Sequence, residues 1–146
     1  MQVREATPAD AEALASLSGQ LGYPADVPTI VRRLARVERG VVLVVLGAEG
    51  AVCGMAQAEP RRLLIAEPYV ELAALVVGEA AQGSGAGAVP LAAVEAWTRA
   101  QGFSIVRVRS NVLRGRAHRF YLREGYIEKK RQAVFLKRLQ ATEPPT

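Results

Sequence analysis

The chain has 146 residues, 50% of them hydrophobic and 23% charged, which suits one folded domain with one apolar core. No apolar run approaches the roughly 18 residues that a membrane-spanning helix needs, and the charged N-terminus lacks the apolar stretch of a signal peptide. The single cysteine, Cys53, excludes an intramolecular disulfide, so we expect a cytoplasmic protein that does not enter a membrane.

Hydrophobic periodicity and turn residues divide the chain into short strands and amphipathic helices. The predicted strands cover residues 2–5, 41–46, 51–59, 69–77, 103–110 and 131–139, and the predicted helices cover 7–22, 27–40, 91–102 and 114–126. The first helix starts at Thr7, with Pro8 in its first turn and Asp10 three residues after the cap. The chain contains no repeat and no linker, so we expect one domain over residues 1–140 and a frayed tail over 141–146.

The positive charge of the chain comes mainly from arginine. The formal net charge is +5, and the basic residues are sixteen arginines and three lysines, concentrated after position 99. Arginine binds phosphate through a planar fork, so this excess favours nucleic acid or a phosphorylated small molecule, with a solvated basic surface as the alternative. The chain has only eight aromatic residues and no helix-turn-helix or finger pattern, which argues against nucleic acid.

A glycine-rich stretch, AQGSGAGAVPL at residues 81–91, lies between a buried strand and a helix. It is not a P-loop, because Gly87 is followed by alanine and valine rather than by lysine and a hydroxyl residue. Gly83, Gly85 and Ala88 match a dinucleotide-binding fingerprint. That interpretation lacks the acidic residue expected about 20 positions later, and too little chain remains for further strand–helix units.

The third interpretation treats Gln82, Gly85 and Gly87 as parts of a turn whose backbone binds an anion. Successive N–H groups at such a turn, together with the positive end of the following helix dipole, form an anion-binding concavity. Glycine omits the Cβ that would hold phosphate oxygens away from the backbone. A pyrophosphate therefore fits this place without a lysine.

At this point the chain resembles the GNAT superfamily of N-acetyltransferases. The succession of VELAALVV, QGSGAG and a helix is similar to that family's acetyl-CoA motif. SNVLRGRAHRFYLREGY, residues 110–126, is similar to its later segment, in which a strand ends in Asn and a helix carries Ala-x-x-Phe-Tyr. The order of the elements agrees over nearly the whole chain, and LSGQLGYP resembles the end of the first helix in small bacterial members.

The resemblance implies a single-domain α/β (α+β) acyl-CoA N-acyltransferase fold with a mixed, mainly antiparallel sheet flanked by helices. It implies an enzyme, an acetyl-CoA-dependent N-acetyltransferase that moves the acetyl group to a primary amine by direct attack in a ternary complex. Acetyl-CoA is then a co-substrate, no metal is expected, the amine is unidentified, and a homodimer stays open. The alternative is a non-catalytic CoA-binding or regulatory module, because a fold alone does not give a function.

The same resemblance implies where the cofactor binds. The N–H groups of residues 83–88 would hold the pyrophosphate, and residues 75–77 would pair with the pantetheine as with an added strand, where their strand splays from its neighbour. The N–H near Val76 or Val77 would stabilise the oxyanion, and Asn111 would bind the pantetheine amides. The expected cofactor-binding residues are Leu75, Val76, Val77, Gln82, Gly83, Ser84, Gly85, Ala86, Gly87, Ala88, Asn111, Ala117, Phe120 and Tyr121.

Two catalytic residues are also implied by the resemblance. Tyr121 takes the position of a tyrosine close to the CoA sulfur, where a phenol donates one hydrogen bond; the alternative is a core residue of its helix. Glu71, eleven residues before Gln82, takes the position of the glutamate base in the histone-acetylating branch. A solvated Glu71, or a water chain without a dedicated base, is the alternative. His118 is expected to be a surface side chain.

The helix after the glycine loop departs from the family pattern, which often has large aliphatic residues where this chain has Ala86 and Pro90. A helix that begins near Gly85 would lose a backbone donor at Pro90 and kink. A helix that begins near Gly87 would have Pro90 in its first turn at little cost. The sequence does not distinguish between these two starting points. The acceptor is expected to contact the first two helices, their GYP junction and the 60–69 linker.

Overall fold

The computed structural model describes residues 1–81, 85–109 and 115–140. The chain divides into two units, Met1–Arg109 and Ser110–Thr146. The first unit contains strands β1 Gln2–Glu5, β2 Val41–Leu46, β3 Val52–Arg61, β4 Tyr69–Val77 and β5 Val106–Val108, and helices α1 Ala11–Leu21, α2 Val27–Ala35 and α3 Ala88–Ala100. The second unit contains helix α4, Gly115–Arg123.

The five strands form one sheet in the order β1-β2-β3-β4-β5. The pairs from β1 to β4 are antiparallel, and β4 pairs with β5 in parallel. This arrangement confirms the predicted mixed, mainly antiparallel sheet. Helix α3 joins the two parallel strands, as such a crossover requires.

The core lies on both faces of the central strands. Val44 and Val45 of β2 point to opposite faces because side chains alternate along a strand, and both are at most 1% exposed. Helix α1 buries Leu14 and Leu17, and helix α3 buries Leu91 and Val94. The run VVLVVL is apolar throughout because both of its faces carry buried side chains.

Two helices end where local geometry requires it. Helix α1 stops at Gly22, whose φ of 103° is in the left-handed region that glycine adopts without strain. Helix α2 is shorter than the predicted 27–40, because the N–H groups of Arg36 and Val37 bond carbonyls three residues back rather than four. This tightening of the last turn ends the helix at Ala35.

The C-terminal part of the chain differs most from the prediction. The predicted strand 131–139 is wrong, because the described residues 126–140 form neither helix nor strand. The side chains of Ile127, Val134, Phe135 and Leu136 are 77–93% exposed, so no burial holds this segment in an extended pairing. β5 is also shorter than the predicted 103–110.

Three further expectations concern the membrane, the tail and the domain boundary. Within the described ranges, no helix is long and apolar enough to cross a membrane. The tail 141–146 lies outside the described residues. The single domain over residues 1–140 stays a prediction.

Candidate functional site

A β-bulge divides β4 into two halves. In the register with β3, Leu72 pairs with Ala58 and Ala74 pairs with Gln57, so Ala73 is the extra residue of the bulge. On the other side of β4, the described part of β5 pairs only with residues 70–72. Beyond Ala73 the described residues of β5 no longer pair with β4, and the side of this second half that faces away from β3 is termed the open side of β4.

The hydrogen-bond phase shows which backbone groups face this open side. The N–H of Gly78 donates to the carbonyl of Cys53 at 2.6 Å. In an antiparallel pair, alternate residues turn their N–H and C=O groups toward the partner strand. Gly78 and Val76 therefore face β3, whereas Leu75 and Val77 face the open side. Of the two predicted oxyanion donors, this phase favours Val77 over Val76.

The glycine loop joins β4 to α3, and the structure describes its residues 85–87. Gly85 has a φ of +77°, a conformation that favours glycine, and Ala86 is buried. The N–H of Ala88 donates to the carbonyl of Gly85 at 3.1 Å, so this predicted phosphate donor is engaged within the loop. Gly87 has ordinary helical angles and directly precedes α3. The predicted residues Gln82, Gly83 and Ser84 lie outside the described residues.

Pro90 lies in the first turn of α3, which begins at Ala88. The N–H groups of a first turn have no partner within the helix, so proline removes no helical hydrogen bond there. The side chain of Pro90 is fully buried. The helix therefore starts near Gly87, and this resolves the alternative that the sequence left open.

Glu71 lies in the first half of β4 between two arginines. Its Oε2 accepts from Arg61 at 3.2 Å, and its Oε1 lies 3.3 Å from Nε of Arg109. The Glu71 side chain is 13% exposed, against 46% for Arg61 and 66% for Arg109. The neighbouring Arg107 stacks on the ring of Tyr69, 4.5 Å from its centroid. Both oxygens of the predicted base thus already have charged partners.

Helix α4 of the second unit carries Tyr121. Burial raises the pKa of the Tyr121 phenol to about 12, so the hydroxyl is protonated at neutral pH. Its ring meets Phe120 edge-on at 5.2 Å and Tyr126 at 5.8 Å, which restricts its orientation. Ala117 and Phe120 are half-buried on the same helix. The predicted Asn111 lies outside the described residues.

The sequence analysis assigned no role to Gln20, which contacts the open side of β4. Its side-chain amide donates from Nε2 to the carbonyl of Val77 at 2.7 Å. The residues are separated by 57 positions, so no local pattern could have revealed the bond. The only sequence signal was the stretch LSGQLGYP, which resembles the end of the first helix in small bacterial members of the family but indicates no role for its glutamine.

The sequence also matches a protein family and a relative of known name. The sequence model of the acetyltransferase (GNAT) family matches residues 12–126. An aminoglycoside N(6′)-acetyltransferase type 1 of Stenotrophomonas maltophilia is 35% identical over 139 residues, which cover 91% of this chain and 90% of that protein.

Solved structures of similar fold include two aminoglycoside N-acetyltransferases. The 6′-N-acetyltransferase of Acinetobacter baumannii superposes with a TM-score of 0.81 at 15% identity, over 95% of this chain and 99% of that one. An aminoglycoside N-acetyltransferase solved in complex with CoA has a TM-score of 0.83 at 17% identity, over 94% and 95% of the two chains. At these identities the likeness concerns the fold.

Proposed function

As a member of the acetyltransferase (GNAT) family, the chain is an acetyl-CoA-dependent N-acetyltransferase, and we propose that it passes the acetyl group directly to a primary amine. The observation that carries this proposal is the open side of β4 beyond Ala73. The strand continues from there into the glycine loop and the N-terminus of α3. CoA combines an extended amide chain with a pyrophosphate, which suits an open strand followed by an anion-binding turn.

Acetyl-CoA would be held by backbone groups at both ends of this stretch. The pantetheine amides pair with backbone groups between Leu75, which faces away from β3, and the glycine loop. The pyrophosphate takes N–H groups of residues 83–87, helped by the positive end of the α3 dipole. Gln82 and Asn111 complete the proposed contacts, with Ala117 and Phe120 as apolar neighbours of the cofactor.

The proposed step joins the acceptor nitrogen to the acetyl carbon and breaks the carbon–sulfur bond of the thioester. The neutral amine attacks the carbonyl carbon, and the oxygen becomes an oxyanion that accepts a hydrogen bond from a backbone N–H of β4 that faces away from β3. Collapse of the tetrahedral intermediate releases CoA as a thiolate, while the attacking nitrogen loses one proton to a base. Protonation of the thiolate then yields CoA and the amide.

Tyr121 is proposed to assist the departing thiolate. Its pKa of about 12 lies above that of a thiol, about 8.5, so complete proton transfer from the phenol is uphill. The phenol therefore acts as a hydrogen-bond donor that stabilises the thiolate, and water supplies the proton. Its edge contacts with Phe120 and Tyr126 keep the hydroxyl oriented.

Glu71 is proposed as the base that takes the amine proton through a water molecule. Arg61 and Arg109 hold its two oxygens, so one of them must give way to water before proton transfer. Both arginines are substantially exposed, and an exposed ion pair is worth about 1 kcal/mol or less, so this exchange is cheap. A water chain without Glu71 is the competing route.

The acceptor class is the finer part of the proposal. The Stenotrophomonas relative, 35% identical, is named for aminoglycosides, so these are the first acceptors to test. Tyr23, 68% exposed in the GYP junction, and residues 62–68 between β3 and β4 are the expected contacts. Small amines, peptide N-termini and lysine side chains complete the set of acceptors.

The test combines calorimetric titration of acetyl-CoA with a thiol-release screen over these amines. Gly87→Glu adds bulk and negative charge at the proposed pyrophosphate site, while the helical angles of Gly87 suit any residue. We expect the affinity for acetyl-CoA to fall about tenfold or more. The control Gly87→Ser adds a small uncharged side chain, and we expect it to bind more tightly than the glutamate variant. An unchanged affinity in Gly87→Glu would overturn the proposed site, and binding without release on any amine would favour the non-catalytic module.

A further inference from the structure

Arginines outnumber carboxylates in the contacts around Glu71. Arg61 of β3 contacts its Oε2, and Arg109, directly after β5, contacts its Oε1. Arg107 lies opposite Glu71 in the register and stacks on the ring of Tyr69. We propose that this cluster selects the acceptor: Arg61 binds a carboxylate of the amine substrate and thereby releases Glu71 for proton transfer. The inference rests on the proposed function of Glu71 as the base.

The cluster has a surplus of positive charge. Its three guanidiniums stay charged at any physiological pH, and within the described part of the chain they form ion pairs with Glu71 alone. Glu59 pairs with Glu71 in the register, but its carboxylate lies near Gly40, where a built Cβ would be 2.8 Å from Oε2 of Glu59. The surplus therefore favours a ligand that brings its own negative charge.

The bond between Arg61 and Glu71 is loose enough to be exchanged. Arg61 donates from Nη2 at 3.2 Å and from Nε at 3.4 Å, both to the same oxygen. By contrast, Arg4 donates at 2.8 and 2.9 Å to the two separate oxygens of Asp10. Arg61 is also 46% exposed. A ligand carboxylate can thus reach this guanidinium and form the short two-oxygen pairing that Glu71 does not form.

The position of Arg61 indicates which acceptors fit. Arg61 is the last residue of β3 and leads into residues 62–68, which are expected to contact the acceptor. When an acceptor carboxylate takes Arg61, Oε2 of Glu71 becomes free for the water that carries the amine proton. Glu71 lies four residues before Leu75, about 13 Å along the strand, so a spacer must separate the carboxylate from the amine.

The cluster therefore favours an ω-amino acid or free lysine over an amine without a carboxylate. A polycationic acceptor meets two guanidiniums beside Glu71, and like charges disfavour it.

The experiment compares 6-aminohexanoate with hexylamine in the thiol-release assay. The two acceptors have equal numbers of carbons and differ in one terminal group, a carboxylate against a methyl. Because both use the same cofactor and the same base, the ratio of their kcat/KM values reports the carboxylate contact. The ratio should be about 10 or more in the unmodified protein, as for a hydrogen bond between charged groups, and about 1 in Arg61→Gln. Arg61→Lys keeps the charge without the planar fork and should keep part of the preference.

The control is Arg99→Gln, the same substitution at an exposed arginine in the last turn of α3. It should keep the full preference. Equal kcat/KM for the two acceptors in the unmodified protein would overturn the proposed selection, and so would a preference that persists in Arg61→Gln. Turnover of other amines but not of 6-aminohexanoate would overturn it as well. Failure to bind acetyl-CoA in calorimetry, or to acetylate any amine, would instead overturn the proposed function, so the two failures are distinguishable.

Discussion

The ion pair between Arg4 and Asp10 should make the stability of the first unit depend on pH. Arg4 donates to both oxygens of Asp10, at 2.8 and 2.9 Å, and the N–H of Thr7 donates to the same carboxylate at 2.8 Å. The hydrogen bond from Arg4 is the main cause that lowers the pKa of Asp10 to about 2, against the opposing effect of burial. Because the folded pKa lies below the unfolded value of about 3.9, the carboxylate stabilises the fold above pH ~4, and this contribution is lost as the pH falls through about 2.

A pKa lowered by about two units corresponds to about 2.6 kcal/mol of folding free energy at neutral pH. Arg4 is 41% exposed, so solvent screens the pair, and we expect about 1–2 kcal/mol. Asp10→Asn keeps the size of the side chain and removes its charge. The free energy of unfolding, measured with urea, should fall by about 1–2 kcal/mol at pH 7 and by about half as much at pH 3.

The control for this experiment is Glu12→Gln, which neutralises an exposed carboxylate in the first turn of α1. It should change the free energy of unfolding by less than about 0.5 kcal/mol at either pH. Arg4→Gln should reproduce the pH dependence of Asp10→Asn, since either change breaks the same pair. A destabilisation by Asp10→Asn that is equal at pH 7 and pH 3 would refute the charge-based reasoning.

Tyr121→Phe should leave acetyl-CoA affinity and melting temperature nearly unchanged and slow single-turnover acetyl transfer about 10- to 100-fold, the effect of losing a hydrogen bond to a charged group. Early melting with a normal rate per folded molecule would make Tyr121 a packing residue. Glu71→Gln should lower kcat with the KM for acetyl-CoA unchanged, and an unaltered kcat would leave proton removal to water. Gly40→Ala should destabilise by about 1–3 kcal/mol in thermal melts, because the new Cβ would overlap the Ala58 carbonyl oxygen. Gly19→Ala, with open space around its Cβ in α1, is the matched substitution and should stabilise by about 0.5–1 kcal/mol.

Local patterns in the sequence predicted most of the elements of the first unit. The strands at 41–46 and 69–77 have the predicted bounds, because runs of apolar and β-branched residues favour strands wherever both faces can be buried. The same kind of signal at 131–139 predicted a strand that does not form in the described chain. An extended segment needs a partner strand and burial, and neither is a property of the segment itself.

In the candidate site too, local features could be predicted from the sequence and contacts between distant residues could not. The glycine loop before a helix could be predicted, because the left-handed φ of Gly85 and the orphan N–H groups of a helix start are local properties. The bulge at Ala73, the two arginines on Glu71 and the bond from Gln20 could not. Each depends on which residues the pairing of strands and the packing of helices bring together. The sequence by itself thus predicted most of the elements and the family, whereas the tertiary structure decided which residues surround Glu71 and which groups of β4 face away from β3, because contacts between distant residues are set only by folding.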